Sequence, residues 1–383
     1  MYKVHLFVLR CKITTFFLYM QINLHFSYLA RDYFTIFVQI YSGRLFIYVL
    51  KRFISCPNTK TAQSPAKKCE NEKMRKCFLR ISEKGCTFAA DLEKMAYAAT
   101  IGFFDGVHKG HQYLLGELRR VAAEQGLQSA VLTLDEHPET VLSGHAKPLL
   151  TTASEREDLL RQSGVDEIFL FHFDVIQQMT AAEFMRVIRE RCGVEVLLMG
   201  YDHQFGSDRL TDFADYEALG AETGIKVLPV SEAPDGAVSS SKIRKALLAG
   251  DVMRANAMLG YNYMLSGTVV HGNGIGHTIG FPTANIEADA CKLIPKSGVY
   301  AAEAVYDRNV TMRLPALVNI GTNPTVGNNH QTIETYLLDY QGSDLYGQTL
   351  TLHLTRRIRD ERKFDSLEEL KAQIELDITA AGI

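Results

Sequence analysis

The sequence has no Cys-x-x-Cys pair, no uninterrupted apolar run of membrane-spanning length and, over the whole chain, no marked excess of one charge. Seven cysteines in 383 residues are too few for a disulfide scaffold. Cys69, Cys77 and Cys86 are separated by seven and eight residues, spacings that zinc sites do not use. A spanning helix needs about 20 mostly apolar residues. The best window, Tyr33 to Leu50, is broken by Gln39, Ser42, Gly43 and Arg44, and an Arg at mid-span costs at least ~2.5 kcal/mol. No compact apolar run near the N-terminus ends in a small-residue cleavage site, which argues against a signal peptide. The composition that remains is ordinary, with 46% apolar and 22% charged residues, and it excludes a mainly disordered or collagenous chain. At roughly 100–200 residues per domain, this length predicts two or three domains.

The net charge of −3 conceals an asymmetry. Residues 1–94 hold 16 Lys and Arg against 6 Asp and Glu, leaving 25 against 38 for the rest, so the first segment stands at +10 and the remainder at −13. Five of the seven cysteines and a crowd of aromatics also lie before Met95. We expect residues 1–94 to be a poorly ordered extension outside the main fold, with Met95 as the natural start. A membrane-surface anchor and an extra domain are the alternatives. The acidic remainder would repel a phosphate backbone, so nucleic acid is not an expected partner. A membrane is expected only through 1–94, and the location is expected to be cytoplasmic.

From Met95 the apolar periodicity switches repeatedly between 2 and 3.6. Strands are predicted at Ala98–Ile101, Ser129–Leu134, Glu167–Phe171, Val194–Met199 and Ile225–Val230. Helices are predicted at His111–Glu124, Ser154–Gln162, Ala181–Cys192 and Asp212–Thr223, then two short ones at Ser241–Ala249 and Val252–Leu259. Such alternation predicts a parallel α/β sheet, with ligands at the carboxyl ends of its strands. After Gly260 the pattern changes to serial strands: Met264–Val270, Val299–Val305, Met312–Asn319, Ile333–Asp339 and Thr349–Arg356. In the last, Leu350, Leu352 and Leu354 alternate with Thr351, His353 and Thr355, the period of a half-buried strand. A helix over Ser366–Ile378, with Ser366 and Glu369 as a capping box, ends the chain. Serial strands with one terminal helix predict a small antiparallel barrel. The predicted boundary between the two bodies lies near 255, giving 95–255 and 256–383.

Two places carry chemistry. Gly102-Phe103-Phe104-Asp105-Gly106-Val107-His108-Lys109-Gly110-His111 lies between a predicted strand and a predicted helix. Glycines let backbone approach a ligand, a helix N-terminus offers N–H groups to phosphate, and two histidines three apart can donate to oxygens that gain charge in a transition state. Ser239-Ser240-Ser241-Lys242-Ile243-Arg244 opens a second helix with hydroxyls and cations suited to a departing pyrophosphate. Together they predict transfer of a nucleotidyl group from a nucleoside triphosphate.

These motifs, with Thr133-Leu134-Asp135-Glu136-His137-Pro138 and Gly200-Tyr201-Asp202-His203-Gln204-Phe205-Gly206 in that order, resemble the adenylyltransferase half of the bacterial bifunctional riboflavin kinase/FAD synthetase family. The resemblance runs over about 95–383. It implies a Rossmann-like FMN adenylyltransferase domain followed by a riboflavin kinase barrel. It implies His108 and His111 at the transferring phosphate, with Gly102, Phe104, Asp105, Gly110, Ser240, Ser241 and Arg244 binding ATP. Asp202 and Phe205 would bind flavin. His203 and Gln204 depart from the family, where an aromatic and a basic residue are commoner.

The second place is Gly280-Phe281-Pro282-Thr283-Ala284-Asn285, after the glycine-rich run 272–276. A glycine run before a Pro-fixed turn can wrap phosphates, and Thr283 and Asn285 carry hard oxygens suited to Mg2+. By composition alone this is a loop. The resemblance implies the riboflavin kinase motif, with Gly276, Thr283 and Asn285 serving ATP, Thr283 and Asn285 also serving Mg2+, and Glu334 as the catalytic base. Pro315–Gly321, 323–325, Asp344–Gly347 and Arg359–Leu367 fit the same family, but His277 stands where it usually has Arg. The implied activity is phosphorylation of riboflavin to FMN, then adenylylation of FMN to FAD, with ATP as co-substrate in both steps. The rivals are an adenylyltransferase whose barrel only binds flavin, and a non-catalytic flavin-binding protein.

Overall fold

The computed structural model describes the backbone of six strands before residue 88, and the chain from Met95 to Gly382 except 201–203, 235, 237, 273–275, 277–278, 307–312, 323–330 and 343. The chain divides into two units, Met1–Ala90 and Asp91–Ile383. In the first, Val4–Phe7, Met20–His25, Asp32–Tyr41 and Arg44–Phe53 form an antiparallel sheet in sequence order. Phe78–Ser82 pairs antiparallel with Gly85–Thr87.

The second unit begins with five parallel strands in the spatial order Lys226–Val230, Val194–Gly200, Tyr97–Ile101, Gln128–Leu134 and Glu167–Phe171. In all but the outer strand Lys226–Val230, the near-continuous apolar runs are mostly buried, as expected for strands covered on both faces. The connecting helices start and stop where local chemistry dictates. Thr152 and Thr180 each form a capping box, with Glu155 and Glu183. Gly126, Gly193 and Gly224 end their helices in the left-handed conformation, which costs glycine no Cβ clash. Strand order reverses on either side of Tyr97–Ile101, so the Gly102–His111 segment leaves the sheet at its topological switch point, where open α/β sheets bind ligands.

Six antiparallel strands then close a barrel: Tyr263–Val270, Thr283–Ala288, Gln331–Leu337, Leu314–Thr322, Gly298–Val305 and Thr349–Arg359, in spatial order. Leu350, Leu352 and Leu354 all point inward and are fully buried. The segment beginning at Thr283, a loop by composition, is a strand: Thr283 pairs with Tyr336 and Asn285 with Glu334. The terminal helix is Leu367–Ala381, packed through Ile374, Ile378 and Ala381 against Val299 and Leu317 of the barrel. Its expected capping box is only half formed. Ser366 accepts from the Glu369 N–H, but the Glu369 carboxylate turns to the Asp365 N–H.

The two bodies of this unit share a core. Ile243 and Leu247 of the helix Ser240–Ala249, and Val252 and Leu259 of the next helix, cluster with Tyr263, Leu265 and Leu352 of the barrel. Among the described residues no helix is long and apolar enough to cross a membrane.

Candidate active sites

The first site is the segment between the strand Tyr97–Ile101 and the helix Lys109–Gln125. It is a tight loop, with positive φ at Phe104 (57°), Gly106 (79°) and Val107 (34°). Two non-glycine residues in that region store strain, of order 1–3 kcal/mol each, and persist only where the surroundings over-determine them. Here they do. Asp105, 3% exposed, accepts from the Leu150 N–H at 3.0 Å, the Thr151 N–H at 3.1 Å and the Thr151 hydroxyl at 3.2 Å. It also pairs with the Arg244 guanidinium, whose Nε donates to the Pro148 carbonyl at 2.9 Å. The Thr151 Oγ1 accepts from the Gly106 N–H at 3.0 Å, and the Ser240 hydroxyl donates to the Asp105 carbonyl at 3.0 Å.

Asp105, Ser240 and Arg244, all expected to meet ATP, therefore meet one another and frame the loop. The long-range pairing brings the serine-rich helix start to the histidine loop across 135 and 139 positions of the chain. Asp105→Ala would leave a buried guanidinium without its carboxylate, which typically costs about 3–5 kcal/mol. We expect a drop of that size in urea unfolding, and a smaller one for Asp105→Asn.

His108 caps the helix. Its Nδ1 accepts from the His111 N–H at 3.4 Å, which leaves Nε2 as the proton-bearing nitrogen of the neutral ring. The two imidazoles stack at 3.7 Å between centroids, and the Phe104 ring meets His111 edge-on at 5.2 Å. A Cβ on Gly110 would lie 3.2 Å from His108 Cε1, so a bulkier residue there would displace the stack. Gly102 is covered by Phe104, whose Cε2 would sit 3.1 Å from an added Cβ. Ser241 is exposed in the first turn of its helix. A cleft of about 310 Å³ opens beside this helix start, lined by Lys109, Gly110, Tyr113, Ala233, Pro234 and Val238. Lys109 and Tyr113 carried no sequence signal of their own.

The run Thr133–Pro138, at the end of the strand Gln128–Leu134, is also a frame. Asp135 accepts from His172 Nδ1 at 2.7 Å and the Phe173 N–H at 3.0 Å. Burial works against its charge, but these bonds hold its carboxyl below the usual range, and the same bond raises His172. Phe205 packs between Phe184 and Tyr216, at 5.5 and 4.8 Å between ring centroids. Asp202, the other expected flavin residue, lies outside the described residues, as does His277.

The second site is a cavity of about 270 Å³ between the barrel and the terminal helix. Gly276, Thr283 and Glu334 all line it, with Asn319, Glu361 and the apolar Ile279, Leu317 and Ile374. Asn285 does not line it but faces Glu334 in register from the adjoining strand, and Asn319 does so from the other side. Glu361 enters because residue 321 is glycine; a Cβ there would lie 2.4 Å from Glu361 Oε1. Arg359 clamps the helix to the barrel, its Nε and Nη2 donating to Asp377 at 2.9 and 2.8 Å. Arg359 and Glu361 belong to the run Arg359–Leu367 that fits the family in sequence, whereas Asp377 answers Arg359 from the terminal helix Leu367–Ala381.

Burial pushes the Glu334 carboxyl above the ordinary range, and the Glu361 charge adds to it. A raised pKa makes a carboxylate a stronger base once ionised. The sign for activity follows. A base must be deprotonated, so turnover at this site should fall as pH drops through the raised Glu334 value. We expect the acid limb of its pH–rate profile above the usual glutamate range, and Glu361→Gln should move that limb downward.

A parallel α/β body with a histidine-bearing loop at its switch point, joined to a barrel with a carboxylate-bearing cavity, defines a two-site nucleotide-dependent transferase. Family models agree with that division: one described as FAD synthetase matches residues 91–242 and one described as riboflavin kinase matches 259–382. The bifunctional riboflavin kinase/FMN adenylyltransferase of Escherichia coli strain K12 is 37% identical over 283 residues, covering 73% of this chain and 89% of that protein. The protein of the same name from Listeria monocytogenes is 35% identical over 284 residues, 72% and 88% of the two chains. A crystal structure described as a macrolide-efflux protein from Streptococcus pneumoniae superposes with a TM-score of 0.68 at 32% identity, over 77% of this chain and 96% of its own. The chain belongs to the bifunctional riboflavin kinase/FMN adenylyltransferase family and carries both of its enzyme domains.

Proposed function

We propose that the barrel cavity phosphorylates riboflavin with ATP and that the histidine loop then transfers AMP from a second ATP to the resulting FMN, releasing pyrophosphate. The observation that carries the first step is the placement of Glu334. It lies in a mostly apolar cavity beside Thr283 and Gly276, between two asparagines in register. An apolar wall suits a flavin ring, and a carboxylate with a raised pKa suits the primary hydroxyl whose proton must leave as the γ-phosphoryl group arrives. At the other site the FMN phosphate would attack the α-phosphorus of ATP. His108 and His111, stacked at the helix start, would donate to the oxygens that gain charge.

Mg2+ fits the chemistry of the kinase site. Thr283, which lines the cavity, and Asn285, two residues on along the same strand, offer neutral oxygens, the hard donors that this ion takes. Among the described residues no group of His, Cys, Asp or Glu is placed to cage a metal alone, so the ATP phosphates would complete its shell, as is usual for Mg2+. When bound it would neutralise phosphate charge. The substrates, riboflavin, FMN and ATP, support a cytoplasmic location.

Incubating the full chain with riboflavin, ATP and Mg2+ and separating the products tests this reading. FMN and ADP should appear first, then FAD and pyrophosphate. Accumulation of FMN alone, or no ATP consumption, would return the chain to a one-activity enzyme or a flavin binder. Residues 1–94 carry none of the site residues. A chain starting at Met95 should therefore keep both activities and, without the aromatic-rich segment, aggregate less. Loss of either activity in that soluble chain would show that the segment serves the enzyme.

A further inference from the structure

The segment Pro148–Thr152 is gripped from both bodies of the second unit. From the α/β side, the Asp105 carboxylate of the histidine loop accepts from the Leu150 and Thr151 N–H groups. From the barrel side, the Leu149 N–H donates to the Cys291 carbonyl at 2.7 Å and the Leu293 N–H to the Leu149 carbonyl at 2.8 Å. Between these two bonds stands Lys292, in the connection from Thr283–Ala288 to Gly298–Val305. Its side chain is fully buried and its Nζ donates at 2.6 Å both to the Leu150 carbonyl and to the Glu155 carboxylate. The ammonium also lies 4.5 Å from the Tyr263 ring centroid. On the same peptide plane as the Leu150 carbonyl that Lys292 holds, the Thr151 N–H meets Asp105.

A buried ion pair is weak evidence for stability, because well-packed apolar residues of similar volume often do as well or better. Glu155 also has a task of its own, capping Thr152 N–H at 2.9 Å. The direct bond to the Leu150 carbonyl is what a merely space-filling residue would not supply. Resting on the two-site reading above, we propose that Lys292 of the kinase half is a positioning residue for adenylyl transfer: it fixes the 150–151 peptide, and through Asp105 the strained loop that carries His108 and His111. A second tie runs in the same direction, from the Tyr261 hydroxyl to the Gly106 carbonyl at 2.6 Å. Lys292 lines neither the kinase cavity nor the cleft beside Gly110, so riboflavin phosphorylation does not depend on it.

The test compares Lys292→Met with the wild-type full chain, with the two activities assayed separately. Small misplacements of catalytic groups cost up to about 10²-fold. The kcat for FAD formation from FMN should fall by about ten- to a hundredfold, with KM for FMN and the rate of riboflavin phosphorylation unchanged. Hydrogen exchange at the Leu150 and Thr151 amides should quicken. Lys292→Met/Glu155→Gln leaves no unpaired buried charge and keeps a side-chain oxygen to cap Thr152. It should recover thermal stability while adenylylation stays slow, and it replaces the single variant if that one does not fold. Equal loss of both activities, unchanged exchange at 150–151, or recovery of adenylylation together with stability in the double variant would overturn the inference alone. Wild-type chain that makes no FAD from FMN would overturn the functional reading and the inference with it.

Discussion

His111→Ala is expected to lower FAD formation from FMN by about 10²–10³-fold, the loss that follows removal of one preorganised donor at a developing charge, while riboflavin phosphorylation continues at the wild-type rate. The imidazole stands in the first turn of the helix Lys109–Gln125, stacked on His108 and edged by Phe104. A donor held this way needs no reorganisation as charge builds on the α-phosphate oxygens. The fold should survive, because His108, not His111, provides the side-chain cap of that helix. Steady-state assays of each reaction, with circular dichroism as a folding control, check the expectation. Equal loss of both activities in a folded variant would remove the assignment of two separate sites.

Glu334→Gln should lower FMN formation from riboflavin by about 10²–10⁴-fold, the range a positioned general base contributes, and leave FMN adenylylation intact. The amide keeps the shape and its strand pairing with Asn285 and Asn319 but cannot accept the hydroxyl proton. Because burial disfavours the Glu334 charge, the neutral variant should fold at least as stably as the wild type. An unchanged kinase rate would make Glu334 a strand carboxylate that happens to face the cavity.

The features legible from sequence were those set by near neighbours. Helix ends at Thr152, Thr180, Gly193 and Gly224 follow from capping chemistry within a few residues, and the inward Leu350, Leu352 and Leu354 follow from a period of two. The histidine loop was legible because its glycines, histidines and helix start lie together in the chain. What lay beyond reach were partners distant in sequence. Arg244 looks like a phosphate cation at a helix start, yet it meets Asp105 across 139 positions. Lys292 looks like a loop lysine, yet Glu155, 137 positions earlier, makes it a buried one. The strand Thr283–Ala288 was hidden because only Ile286 of its residues is buried, so no alternation marks it. Glu361 sits in a charge run whose entry into the kinase cavity depends on Gly321, on another strand.

The central claim is that one chain holds two separable sites acting in series, and mixing the two single-site variants tests it most directly. With riboflavin, ATP and Mg2+, His111→Ala alone should stop at FMN, and Glu334→Gln alone should yield almost no product. The mixture should make FAD, because FMN released by the first variant is adenylylated by the second. FAD from riboflavin with Glu334→Gln alone, or none from the mixture although each variant keeps its remaining activity on the separate substrate, would contradict the account.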